Sequence, residues 1–457
     1  MKAGRKKILS LMLAGATAVS LMTACGGGNG GSAANEEITS AADLADKEDV
    51  TLKFYSWESN CSKEILDAAN AYHEANPNIT VEVEFLGDTN STEYLKKIDL
   101  MIMGNEDMDV VMQPSLAQHS SRANGGALMS LNQFMDAEGI KMKEEYVIDT
   151  PVNGEYYGIP NQVKSWYVLI NKNHLEEAGL DVPDFEWTWE DYKEYSVALT
   201  KGEGANKRYG SFMQAANDRY AYLPIWVEKD DNPYFLNEND LNFNDPLLKS
   251  FLEYRYDLEN VTKSQVPYSD VKSLNMNYRD QFFNEKVSML VIGSYTLADI
   301  SNQEKYPHDF VSTFAPIPRW DESTEAGRTI TEGHYYSIAK TSKHPQEAYD
   351  FIRWFTTDGM EYFKSSVSAA SGVDRVESFL AGIYEEDEKY YDIDALNNLF
   401  NNELWKDNIY KIAPVYQSQL ESMLKEEVEK YLLGQQDIDT TIEALNVKGK
   451  EIQEEAK

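Results

Sequence analysis

Two trains of strand-then-helix patterning, separated by one long aromatic segment, set the strongest limit on how this 457-residue chain can fold. The segment is Gly154–Lys172, GEYYGIPNQVKSWYVLINK. It turns at Gly158 and Pro160, then runs as a strand from Val163 to Ile170, where Trp166, Tyr167 and Ile170 suit a pleated surface. Before it, Val50, Leu52 and Phe54 alternate as in a strand. Ile65, Ala69 and Tyr72 then share a helical stripe that Asn76-Pro77 ends, and Ile79–Phe85 alternates again. A β–α–β succession this short predicts a parallel pair with a right-handed crossover. A further helix carries Leu95, Ile98, Met101 and Ile102 and stops at Gly104, and Asp109–Gln113 reads as a short buried strand. The expected fold is α/β in two lobes, with Gly154–Lys172 as the first passage between them. Tyr156, Tyr157, Trp166 and Tyr167 would then lie beside the gap. An aromatic-lined gap without a catalytic motif suits carrying a ligand more than transforming one.

Past the crossing, helices dominate. Thr188–Asp191 has the form of a capping box, followed by the stripe Tyr192, Tyr195 and Leu199. Asp245-Pro246 opens a helix with Leu248, Phe251, Leu252 and Leu258 inside. Val287–Ile292 reads as a buried strand running into Gly293-Ser294-Tyr295, taken as the second crossing, back to the first lobe. Phe310–Pro318 is a strand with a Pro-rich exit, and Glu332–Lys340 is the third crossing. Helical stripes follow: Ala348, Phe351, Ile352 and Phe355; Leu420, Leu424, Val428 and Tyr431, closed by Gly434; then Ile438, Ile442 and Leu445. These readings place 49–162 with 295–335 in the first lobe, and 163–294 with 336–457 in the second.

The N-terminus reads as a targeting segment. Lys2, Arg5, Lys6 and Lys7 precede the apolar run Ile8–Leu21, too short to remain as a span. Residues 1–24 form this leader. It ends in Leu21-Met22-Thr23-Ala24-Cys25, which resembles a bacterial lipobox with Met22 where Leu is usual. Cys25 would carry lipid, and 25–48, opening with a Gly-rich run, would be a flexible tether. Buried acyl chain contributes about 0.8 kcal/mol per methylene, so a lasting anchor needs more than one chain. With Cys25 lipidated, Cys61 has no partner, so neither an intrachain disulfide nor a thiolate metal site is expected. Acidic residues number 77 against 42 basic, a net charge of −35. That excess argues against nucleic acid and against wide contact with anionic lipid, leaving the N-terminal lipid as the membrane link.

Four stretches, in order behind the lipobox, resemble the family 1 extracellular solute-binding proteins, the sugar-type lipoproteins of ABC importers. They are TLKFYSW, YYGIPNQVKSWYVLINKNHLEEAGL, FFNEKVSMLVIGSY and EGHYYSIAKTSKHPQEAYDFIRWFT, and the likeness spans Val50 to Lys457. The chain departs from the family where Glu285 precedes Lys286 in place of Gly, with Asn284 expected to take the left-handed turn. It departs again at Tyr295, where Trp is usual, and at Ser371-Gly372-Val373, where the family places Pro. The resemblance implies a type II periplasmic-binding-protein-like fold: two α/β lobes, three inter-lobe crossings and a ligand cleft that closes by a hinge. It also implies a monomer that captures a saccharide and hands it to ABC transporter permease subunits, with no cofactor.

In open α/β sheets ligands bind beyond the carboxyl ends of strands, here Trp57-Glu58, Gly87-Asp88 and Gln113–Ser115. A sugar offers apolar C–H faces, which suit aromatic planes, and a hydroxyl rim, which suits carboxylates and amides. The candidate ligand-binding residues are therefore Trp57, Glu58, Asp88, Gln113, Trp166, Trp226, Tyr295 and Tyr335. Alternation lets only one of Tyr335 and Tyr336 face the gap, and Arg375 is a weaker polar candidate. No nucleophile elbow, zincin or Walker motif occurs, and the six histidines are scattered, so neither a catalytic nor a metal site is expected. Two rival readings stay open. A glycoside hydrolase needs only two carboxylates. A binding protein for a polyamine or metal could use Asp230-Asp231, or Glu58 with Asp88.

Overall fold

The computed structural model describes residues 48–456, apart from 215–218, 231, 238–239, 364–365, 382, 410 and 412. The leader, Cys25, the tether up to residue 47 and Asp231 lie outside the described residues.

Among the described residues ten strands follow one another: β1 Val50–Ser56, β2 Ile79–Phe85, β3 Val110–Gln113, β4 Ile159–Asn171, β5 Tyr209–Phe212, β6 Val287–Gly293, β7 Ser312–Ala315, β8 Arg328–Ile338, β9 Val367–Ser368 and β10 Lys406–Ile409. The first β–α–β unit is as expected. β1 and β2 are parallel with Phe54 opposite Val83, and helix Ser62–Ala75 between them buries Ile65, Ala69 and Tyr72. β3 joins β1 in parallel. Strand order is β2-β1-β3-β8-β4-β6-β5, with β10 added to β8 and with β7 and β9 added to β4.

β4 is the pivot of this arrangement. Its first half, Ile159–Ser165, pairs antiparallel with β8, and its second half, Trp166–Ile170, pairs antiparallel with β6. One strand thus serves two sheets and changes partner at Ser165/Trp166. The first sheet carries β1, β2 and β3; the second carries β5, β6 and β7. Phe54 of β1 meets Tyr336, Phe351 and Phe355 at ring distances of 5.5, 5.9 and 5.8 Å, which makes the first core. Trp189 packs on Tyr192, Phe251 and Tyr254 in the second, behind the capping box of Thr188 and Asp191.

The pairing assigns two segments differently from the sequence boundaries. Ser312–Ala315, expected in the first lobe, pairs with Val168–Asn171 of β4, in the second sheet beside β6. The return therefore comes at β8, which begins in the second half against β10 and ends against β3. Helix Pro345–Phe355, expected in the second lobe, packs Phe351 on Tyr72 and Phe54 in the first. The left-handed residue before Lys286 is Glu285 itself, at φ 55°, while Asn284 stays at φ −91°. Among the described residues no helix is long and apolar enough to cross a membrane.

Candidate functional site

The ends of β1 and β3 lie side by side because β1 and β3 are parallel neighbours. Tyr94, on helix Ser91–Met103, ties them: its hydroxyl accepts from the Met112 N–H at 3.0 Å and lies 3.1 Å from the Tyr55 carbonyl oxygen. The next residue out, Trp57, sets its ring on Tyr94 at 5.2 Å and edge-on to the His334 ring at 4.8 Å. Glu58 follows and is 8% exposed.

Glu58 enters a network that sequence order does not suggest. Its Oε1 accepts from the Gln162 amide at 3.3 Å, lies 3.1 Å from His334 Nδ1, and is 4.0 Å from Lys164 Nζ. Lys164 Nζ in turn is 2.5 Å from His334 Nε2. The Gln162 amide nitrogen lies 2.9 Å from the other ring nitrogen, Nδ1, so both imidazole nitrogens are held inside the group. Register explains the grouping: Gln162 and Lys164 of β4 stand opposite His334 and Glu332 of β8, on one face of the ladder. Tyr295 closes the group, its half-buried ring 5.8 Å from the Lys164 ammonium.

The charges follow from this packing. Burial opposes the Glu58 charge, but His334, Lys164 and the Gln162 N–H outweigh it and hold the carboxyl below its usual value. Burial, helped by the Lys164 cation, pushes His334 down to about 4, so at neutral pH it is uncharged. The same burial lowers Lys164 against the pull of Glu58. The group therefore holds one carboxylate, one ammonium and a neutral imidazole. All of the carboxylate's contacts fall on Oε1; Oε2 is buried with no hydrogen-bond partner among the described residues. Such an atom forfeits the full desolvation cost of a charged acceptor until a donor reaches it.

The other candidates separate into four fates. Asp88 stays at the same end of the sheet, exposed in a turn at φ 45°, accepting from the Ser59 hydroxyl at 3.4 Å. Gln113 and Tyr335 face each other across β3 and β8. Gln113 is fully buried, its Oε1 3.5 Å from Arg122 Nη1 and its Nε2 without a partner among the described residues. Tyr335 stacks on His119 at 4.7 Å and accepts from Thr150. Adjacent strand residues alternate, so Tyr335 points away from Glu58 while His334 points to it. Tyr336 belongs to the first core. Trp166 and Trp226 are 1% and 2% exposed, and neither offers a free ring face here. Trp166 packs on Tyr220 at 5.4 Å, and Trp226 packs on Tyr234 at 5.8 Å from helix Arg219–Glu228. Both fill the second core, where large apolar side chains gain most from leaving water. Arg375 turns to Asp407, with its two guanidinium nitrogens 3.1 and 2.5 Å from the carboxylate. Gln162, Lys164 and His334 were missed. The signal for the first two was present: long polar residues two apart, on one face of the crossing strand. Among the described residues no group of three or more His, Cys, Asp or Glu could hold a metal ion.

Residues 55–362 match the bacterial extracellular solute-binding protein family. An arabinooligosaccharide-binding protein of Halalkalibacterium halodurans is 31% identical over 107 residues, which is 23% of this chain and 22% of that protein. The match thus spans about a fifth of the relative's length. Among solved structures, an ABC substrate-binding protein from Listeria monocytogenes in complex with cycloalternan superposes with a TM-score of 0.71 at 15% identity, over 88% of this chain and 98% of that one. UgpB from Mycobacterium tuberculosis, in complex with glycerophosphocholine, gives 0.69 at 18% identity, over 89% and 99%. At such identities the likeness is one of fold, the two-lobed binding-protein fold in which β4 and β8 pass between the halves. By the extent of the family match, the chain belongs to the bacterial extracellular solute-binding proteins.

Proposed function

We propose that this protein captures a carbohydrate between its two halves and presents it to the permease of an ABC importer, without transforming it. The observation that carries the reading is Glu58 Oε2, a buried carboxylate oxygen lacking a donor, two residues past the end of β1 and beside the Trp57 ring. A sugar hydroxyl supplies that donor, and the half-buried Tyr295 ring supplies aromatic surface for C–H faces, while Trp57, 6% exposed against Tyr94 and His334, backs the site from within. The saccharides bound by relatives, arabinooligosaccharide and cycloalternan, support the same class. Glu58 is already paired with Lys164, which weakens the case for a polyamine or metal as cargo.

On this reading the chain works as a monomer outside the cell, held to the membrane by lipid on Cys25 and freed to move by the 25–48 tether. Cys25→Ala should then release the protein into the medium. Calorimetric titration with arabino-, xylo- and malto-oligosaccharides tests the cargo. Binding of at least one series without product release is expected. Binding only of cations, or hydrolysis of a bound oligosaccharide, would overturn the proposal.

A further inference from the structure

We propose that the Glu58–Lys164–His334 group makes the site selective for uncharged sugar residues and turns away acidic ones, uronates and phosphorylated sugars included. The inference rests on the carbohydrate reading above and adds the charge class of the ligand.

The unpartnered group is an acceptor, and it is ionised. It calls for a hydrogen-bond donor. A hydroxyl is one, whereas a uronate carboxylate or a phosphate at neutral pH brings acceptors and negative charge to a spot that already holds a carboxylate. The neighbouring cation does not offset this. Lys164 is committed to His334 at 2.5 Å and to Glu58 at 4.0 Å, and its side chain is only 18% exposed. Other charges close by are mostly of the same sign as Glu58. Glu332 stands opposite Lys164 on β8, and Asp88 is held through Ser59 at the same strand end. Arg279, whose charge also acts on Lys164, is spent on Asp299 at 2.6 Å. In a buried setting an anion set against a paired carboxylate finds no compensating cation, and water cannot screen the repulsion. Specificity here comes from an element that repels the wrong ligand as much as from one that holds the right ligand.

The test is a calorimetric panel on the full mature chain with arabinotriose, maltotriose and trigalacturonic acid at neutral pH. The neutral trisaccharide that binds best should do so at least a hundredfold more tightly than trigalacturonate. In Glu58→Gln the orphan acceptor loses its charge and Lys164 loses its partner. That variant should bind the neutral sugar at least tenfold more weakly and should narrow or reverse the gap to trigalacturonate. Circular dichroism confirms that the variant is folded, and Glu58→Asp, which keeps the charge, should retain the preference. Equal or tighter binding of trigalacturonate by the wild-type chain would overturn the charge selectivity and leave the carbohydrate reading intact. Failure of every saccharide, neutral and acidic, would overturn both.

Discussion

Glu58 and His334 show how one pair of side chains can carry both a site and part of the pH response of the fold. His334 titrates near 4 in the folded chain, against about 6.5 for an unperturbed histidine. The unfolded chain therefore takes up that proton first, and stability falls as pH drops from about 6.5 towards 4. Glu58 acts in the same direction at the acid end. Its folded value is depressed, so its contribution is present above the unfolded carboxylate range and is lost as pH falls through the folded value. His119, pushed down to about 3 by burial and then by Arg122, adds to the same slope. In His334→Gln, thermal unfolding between pH 6.5 and 4 should show a shallower loss than wild type; parallel curves would mean that His334 takes up its proton at the same pH in the folded and unfolded chain. Trp166 makes the opposite point. On sequence grounds it is a ligand-stacking ring, but its burial against Tyr220 makes it a core residue. Trp166→Ala should lower unfolding free energy by about 3–5 kcal/mol in urea titrations. A loss under 1 kcal/mol would return the ring to the cleft.

At the scale of elements, the strands that pass between the halves are fastened on both faces. One face carries the Glu58 network. On the other, Asp407 of β10 accepts from Thr331 of β8 at 2.5 Å, Ser165 of β4 at 3.3 Å, the Trp405 indole at 3.1 Å and both guanidinium nitrogens of Arg375. Ser165 also donates its N–H to Ser294, just past β6. One carboxylate is thus bound to both β4 and β8. Its side chain is 19% exposed and that of Arg375 is 13%. Removing one partner of such a pair leaves a charge uncompensated, which costs about 3 kcal/mol or more. Arg375→Met should show that loss, and Asp407→Asn with Arg375→Met should lose less than the two single changes together. Strict additivity would mean that the pair is not coupled. None of this was visible in the chain read in order. β1, β2, β3 and β6 were legible because alternation and apolar runs are local signals, and the ends of β1 and β3 followed from them. The partners of β4 were not. His334 and Asp407 meet β4 from positions 170 residues away or more, through registers that depend on pairing and not on composition. For the same reason the pairing of β7 with β4 is not legible: a short apolar strand carries no mark of the sheet that it joins.

For the whole molecule, the consequence of this wiring is a hinge with few degrees of freedom. β4 is continuous across both sheets, and β8 runs from β10 to β3, so the halves can rotate about these strands but cannot slide apart without breaking their ladders. Away from the strands, the halves also touch through exchangeable polar contacts: Gln118 donates to Ser418 at 2.9 Å, and Ser120 donates to the Ala413 carbonyl at 2.8 Å. Such contacts are individually worth about 1 kcal/mol, small enough to open and close with the ligand. A ligand that touches both halves binds the closed form best and shifts the population towards it only by its difference in affinity for the two forms. It also stabilises the fold, by about 2.7 kcal/mol at a hundred times its dissociation constant. The two effects should appear together. On saturation with the saccharide found by titration, small-angle scattering should show a smaller radius of gyration and the melting temperature should rise. Gln118→Ala should weaken binding a few-fold by favouring the open form, while Glu58→Gln should weaken it through the site and leave the ligand-free radius unchanged. A saccharide that raises the melting temperature without any change in radius would show that one half alone holds it, and the hinge would then have no part in capture.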